Sequence, residues 1–158
     1  SIRATRAEFL PASKAKVGAN GCHYRYLEGD FHRTADLQEG IEKDCGVMPT
    51  PDISKALRPD HFGYVFEGFI DIPEQGVYGF STTSDDGSVL YVDDRLVVDN
   101  DGGHAAVSAS GRIALAAGKH RYRILYFEDY EGEAFAWAWQ KPGGKQMEPI
   151  PAACLYTK

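Results

Sequence analysis

Apolar residues recur at every second position through much of the chain. Phe62, Tyr64, Phe66, Ile70 and Ile72 occupy even positions of one run, and Tyr122, Ile124 and Tyr126 alternate with Arg121, Arg123, Leu125 and Phe127 in another. A period of two places successive side chains on opposite faces of the backbone, which is the geometry of a strand and not of a helix. The same reading predicts strands over 22–28, 77–83, 88–92, 95–98 and 107–115. It also predicts a strand in which Phe135, Trp137 and Trp139 face away from Ala134, Ala136 and Ala138. Residues 149–156 close the chain.

Turn residues punctuate these runs. Pro73-Glu74-Gln75-Gly76, Asp93-Asp94, Ala117-Gly118 and Pro142-Gly143-Gly144 read as turns, because Pro presets φ while Gly and Asp tolerate the left-handed region. Ser84 to Gly87, Asp99 to His104 and Glu128 to Gly132 read as loops. Residues 36–58 are irregular, with Gly40, Gly46, Pro49 and Pro51 inside the stretch. They predict a long connection with a short helical turn near 36–41, of the kind that carries function or covers a sheet edge. Many short strands with turns between them predict an all-β fold, an antiparallel two-sheet β-sandwich with long connecting loops. Residues 1–20 form a lead-in that supplies an edge strand, and residues 21–157 form the sandwich. The three alternating aromatics at 135, 137 and 139 belong to the core.

Composition narrows the function classes. Nine Tyr, eight Phe, two Trp, seventeen Gly and eight Pro fit strands joined by tight turns. The formal net charge is −6 and the basic residues are scattered. Nucleic-acid binding and membrane-surface binding therefore have no basic patch to use. No apolar run is long enough to span a bilayer. The chain begins Ser1-Ile2-Arg3 without a signal peptide, as a mature fragment or an excised domain does. Cys22, Cys45 and Cys154 lack the spacing of a zinc site and read as small buried residues, with one bridge plus a free thiol as the alternative.

One stretch has a family likeness. The run FGYVFEGFIDIPEQGVYGFSTTSDDGSVLYVDDRLVVDNDGGH, followed by ASGRIALAAGKHRYRILYFEDYEGEAFAWAWQKPGG and the closing EPIPAACLY, resembles the protective-antigen-type (PA-fourteen) domain. The earlier YRYLEGDF is similar to the family's first strand. The resemblance implies a β-sandwich found in bacterial glycosidases, toxins and fungal adhesins. The segments PDISKALRPDHFGYVFEG and LYVDDRLVVDNDGGH are most similar to versions attached to glycoside hydrolases of the hexosaminidase or fucosidase kind.

Candidate chemistry centres on Asp85-Asp86. Adjacent carboxylates beside a glycine suit a hard cation, since calcium takes several oxygen ligands in a flexible geometry. In lectin-type members that this chain resembles, two successive Asp residues joined by a cis peptide hold calcium, which in turn binds sugar hydroxyls. A second loop there supplies an Asn, whereas this chain has Phe127-Glu128-Asp129-Tyr130. The predicted metal ligands are Asp85, Asp86, Glu128 and Asp129, and the predicted carbohydrate contacts are Asp85, Asp86, His104 and Tyr130. A plainer reading has the two aspartates accept backbone N–H groups and fix their loop. Asp99-Asn100-Asp101-Gly102-Gly103 lacks the closing ligands of a calcium loop and reads as structure.

No metalloprotease, serine-hydrolase or phosphate-loop motif is present. The expected function is a non-catalytic carbohydrate-binding or accessory module of a larger secreted glycoside hydrolase, with calcium as possible cofactor. Its partners would be a glycan or cell-wall saccharide and the catalytic domain of the same parent chain, in an extracytoplasmic setting. The alternative is a structural or protein-interaction domain that packs on a catalytic domain without binding glycan.

Overall fold

The computed structural model describes residues 8–158. Among the described residues, eleven strands form two antiparallel sheets. The larger contains β1 (Cys22–Glu28), β2 (Ile41–Met48), β3 (Phe62–Ile72), β5 (Ser88–Val92), β6 (Arg95–Asn100) and β8 (Gly118–Glu128), in the order β2-β1-β3-β8-β5-β6. The short β11 (Leu155–Tyr156) also pairs with β3. The smaller sheet is ordered β10-β9-β4-β7, from β10 (Glu148–Pro149), β9 (Ala134–Gln140), β4 (Gly76–Asp85) and β7 (Val107–Leu115).

The alternation read from the sequence becomes the sandwich core. Phe62, Tyr64, Phe66, Ile70 and Ile72 face inward from β3, Tyr122, Ile124 and Tyr126 from β8, and Tyr78, Phe80, Trp137 and Trp139 from the opposing sheet. Tyr64 and Phe66 stack with centroids 5.1 Å apart. Each side chain so enclosed contributes about 2–3 kcal/mol through removal of apolar area from water. Leu27, Phe31, Leu37, Val65 and Phe127 form a second, smaller cluster. Their alternation with the inward residues places them on the other face of the large sheet. Leu37 reaches it from a 3-10 helix over Thr34–Glu39. This is why β3 is buried almost continuously instead of on one face only.

Three expectations need correction. Residues 41–48 form strand β2, not irregular connection. It is an edge strand whose side chains are mostly exposed, so no apolar alternation marks it. Glu128 ends β8 instead of opening a loop, and it is wholly buried. Cys22 is buried, but Cys45 is exposed, Cys154 is half-buried, and all three are free thiols. The described part of the lead-in contributes two isolated bridges, Leu10 to Leu115 on β7 and Asn20 to Tyr156 on β11. The part of it over residues 1–7 lies outside the described residues. Asp93 and Asp94 both have positive φ, 51° and 62°, as the tight β5–β6 hairpin requires.

Candidate functional site

The turn between β4 and β5, the loop after β6 and the exit of β8 meet at one end of the sandwich. The Asp86 N–H donates to the Phe127 carbonyl at 3.2 Å, and the Phe127 N–H donates to the Gly87 carbonyl at 3.1 Å. These bonds fix the Asp85-Asp86-Gly87 turn onto β8. A Cβ at Gly87 would lie 2.7 Å from the backbone of Gly102 and from the Phe127 ring, so only glycine lets the three segments approach. The Asp85–Asp86 peptide is cis, and the Tyr126 hydroxyl donates to the Asp85 carbonyl at 2.6 Å.

The two aspartates play different parts. Asp86 is nearly buried, and its carboxylate accepts the His104 N–H at 3.0 Å on Oδ1 and the Asp129 N–H at 2.8 Å on Oδ2. It therefore holds both neighbouring loops, as the plainer sequence reading has it, while each oxygen keeps a lone pair free. Asp85 is half-buried, and burial followed by the Asp86 charge raises its pKa.

Glu128 completes the group. Asp85, Asp86 and Glu128 each offer an oxygen, and these oxygens lie within 4.8 Å of one another. Glu128 has no exposed surface, and neither of its carboxylate oxygens has a hydrogen-bond partner. Burial first, then the hydrogen bond that only its protonated form can donate to Asp86, then the Asp86 and Asp85 charges, push its pKa up to about 9. A buried acid without partners is costly unless a cation or a proton neutralises it. Calcium held at about 2.4 Å from each ligand accepts oxygens spread this far apart. The donor set, three carboxylates, fits that hard cation.

Other predicted residues take different places. His104 reaches the cluster through its backbone. Its ring nitrogens lie 2.8 Å from the Ala105 and Asn100 carbonyls, so the ring is engaged within its own loop. Burial alone would lower its pKa, but those two carbonyls and the nearby aspartates raise it overall. Asp129 likewise lends its N–H to Asp86, while its carboxylate turns toward His32 and His61. Tyr130 stands exposed on the β8–β9 loop beside the cluster. Trp137 and Trp139 are buried in the core.

Within the Asp99–Gly103 stretch, Asn100 is buried and donates from Nδ2 to the Val107 carbonyl at 2.9 Å and the Thr82 carbonyl at 3.2 Å. It braces the site loop from below. Asp101 accepts the Thr34 N–H and hydroxyl at 2.8 and 2.7 Å, tying the 3-10 helix to the same loop. The Asp99–Gly103 stretch is thus structural, as its missing ligands implied.

Residues 19–152 match the family described as the PA14 domain. The chain belongs to the PA14 domain family. Among curated proteins it is 26% identical over 140 residues to the anti-sigma-I factor RsgI3 of Acetivibrio thermocellus, a match that covers 88% of this chain and 21% of that protein. An anti-sigma factor domain-containing protein from Clostridium clariflavum superposes with TM-score 0.72 at 22% identity, over 98% of this chain and 53% of that one. The PA14 sugar-binding domain from an RTX adhesin superposes with TM-score 0.71 at 14% identity, over 89% of this chain and all of that one. This PA14 chain therefore spans about a fifth of the curated relative it matches and about half of the first of these structures.

Proposed function

We propose that this PA14 domain is a non-catalytic carbohydrate-binding module of a longer protein, with calcium held by Asp85, Asp86 and Glu128. The observation that carries the reading is Glu128: a wholly buried carboxylate with both oxygens unpartnered, facing two further carboxylates. When bound, calcium supplies coordination sites for sugar hydroxyls. Asp86 keeps the Gly102–His104 and Asp129 segments in register around the site. Tyr130 offers an exposed aromatic face that suits the apolar face of a sugar ring. The sugar-binding RTX adhesin domain of the same fold supports the reading.

The parent is either a glycoside hydrolase, as the sequence resemblance implies, or an anti-sigma factor, the description that two of the similar proteins carry. In both the module has one task, to hold its parent on a glycan outside the cytoplasm, where calcium is abundant enough for weak sites. Among the described residues no helix is long and apolar enough to cross a membrane.

The test is calorimetric titration of the domain with calcium, and with glycan in its presence. Asp85→Asn combined with Asp86→Asn is expected to abolish both heats. Unchanged glycan affinity in that double variant would sink the proposed site, and no glycan heat from the wild type in calcium would favour a purely structural module.

A further inference from the structure

A second group of metal-ligating side chains stands outside the three-carboxylate cluster, and strand register explains how it assembles. Glu28, Phe62 and Glu128 lie in one row across β1, β3 and β8. Because β3 runs opposite to its neighbours, the chain leaves this row through Gly29-Asp30, His61 and Asp129. The Gly29 N–H donates to the His61 carbonyl at 3.0 Å, extending the ladder one step beyond the strands. Asp36 accepts the His32 N–H at 3.0 Å and holds that residue near the same end. Asp60 accepts the Glu131 N–H at 3.1 Å, fixing the β8 exit against the segment that carries His61.

The side chains converge. His61 Nδ1 lies 3.4 Å from Asp30 Oδ1 and 3.4 Å from Asp129 Oδ1, and His32 Nδ1 lies 3.2 Å from Asp129 Oδ2. His61 Nδ1 is shut off from solvent and has no hydrogen-bond partner, although two carboxylates flank it. Elsewhere in this chain a His–Asp pair closes to hydrogen-bonding contact: His120 Nδ1 is 2.6 Å from Asp93 Oδ2. His61 does not close on either carboxylate. Its spacing is that of donors around a small ion, since a tetrahedral metal with ligands at about 2.1 Å keeps its donor atoms about 3.4 Å apart. His61 also has φ of 58°, a conformation rare for a residue with a Cβ. Imidazole nitrogens mixed with carboxylates suit zinc-class ions better than calcium or magnesium, which take oxygen.

We propose that Asp30, His61 and Asp129, whose ligand atoms lie within 4.8 Å of one another, form a binding site for a zinc-class divalent transition ion, with His32 flanking Asp129, separate from the Asp85-Asp86-Glu128 cluster. The site ties the β1 exit, the β3 entrance and the β8 exit together. Through the Asp129 N–H bond to Asp86 it stands one residue from the carboxylate cluster.

The experiment is a titration of the tag-free domain with Co(II), followed by displacement with Zn(II), in the presence of excess calcium. The expected result is one equivalent of Co(II) with the intense visible absorption of a tetrahedral ion, removed by Zn(II). His61→Asn removes the ligand while keeping a residue that accepts positive φ. It should weaken Co(II) binding by about tenfold or more, as should Asp129→Asn. The Asp85→Asn, Asp86→Asn double variant should still bind Co(II), so failure of the calcium reading and failure of this one are distinguishable. Circular dichroism of each variant separates loss of a ligand from loss of the fold. Absence of the absorption band, or equal binding by folded His61→Asn, would overturn the proposal.

Discussion

Two adjacent aspartates of the same charge carry different loads, and substitution separates them. Asp86→Ala leaves the amides of His104 and Asp129 without their acceptor. It is expected to cost about 2–4 kcal/mol of stability in chelator, measured by denaturant unfolding. The Asp85 carboxylate accepts no hydrogen bond among the described residues, so Asp85→Ala should cost under about 1 kcal/mol under the same conditions. Equal costs would refute the division of roles. Glu128→Gln gives the complementary result. A neutral amide can donate to the neighbouring carboxylates, so the metal-free domain should gain about 2 kcal/mol. The same variant should lose the rise in melting temperature that calcium gives the wild type. At this scale the sequence was only partly legible. Asp85-Asp86 stood out because paired acids beside glycine are conspicuous. Glu128 read as a loop acid because nothing in FEDYEG reveals that one carboxylate is wholly buried. His32 and His61 stand 29 positions apart in the sequence, and only the register of β1 on β3 brings them together.

Among the elements, the β5–β6 hairpin and the start of β8 share a buried ion pair. His120 has no exposed side-chain surface, lies 2.6 Å from Asp93 Oδ2, and is 2.8 Å from the Ala116 carbonyl through its other nitrogen. Burial alone would lower its pKa, but Asp93 and the Ala116 carbonyl raise it above 6.5 overall. The folded state therefore holds the proton more tightly than the unfolded chain does. The stabilisation is full below about pH 6.5 and disappears as pH rises through the higher folded value. Asp93→Asn keeps a residue suited to the positive φ and removes the charge. Unfolding curves should show it about 2 kcal/mol less stable than wild type near pH 6, with the gap narrowing toward pH 9. A gap independent of pH would count against the ion pair. Where the sheets meet, β7 passes β6 at Gly111, and any Cβ there would collide with the Val97 carbonyl. Gly111→Ala is expected to destabilise by about 3 kcal/mol. Periodicity found the strands that bury a face and missed β2, which buries almost none. It holds its place through main-chain pairing with β1, and main-chain bonds leave no trace in the side-chain pattern.

At the scale of the whole molecule, the sandwich is a rigid frame whose strand ends present loops at one rim. The alternating aromatics made the architecture readable, because a two-sheet core demands them. The rim was less readable, because its loops are held by backbone bonds to Asp86 and Asp101 and by the buried Asn100, whose partners lie far away in sequence. The measurement that tests the central claim most directly is a glycan array probed with the isolated domain, first in calcium and then in chelator. Binding to a defined set of saccharides in calcium, lost in chelator, is the predicted result. Absence of binding in both conditions, or binding that chelator leaves intact, would contradict the account.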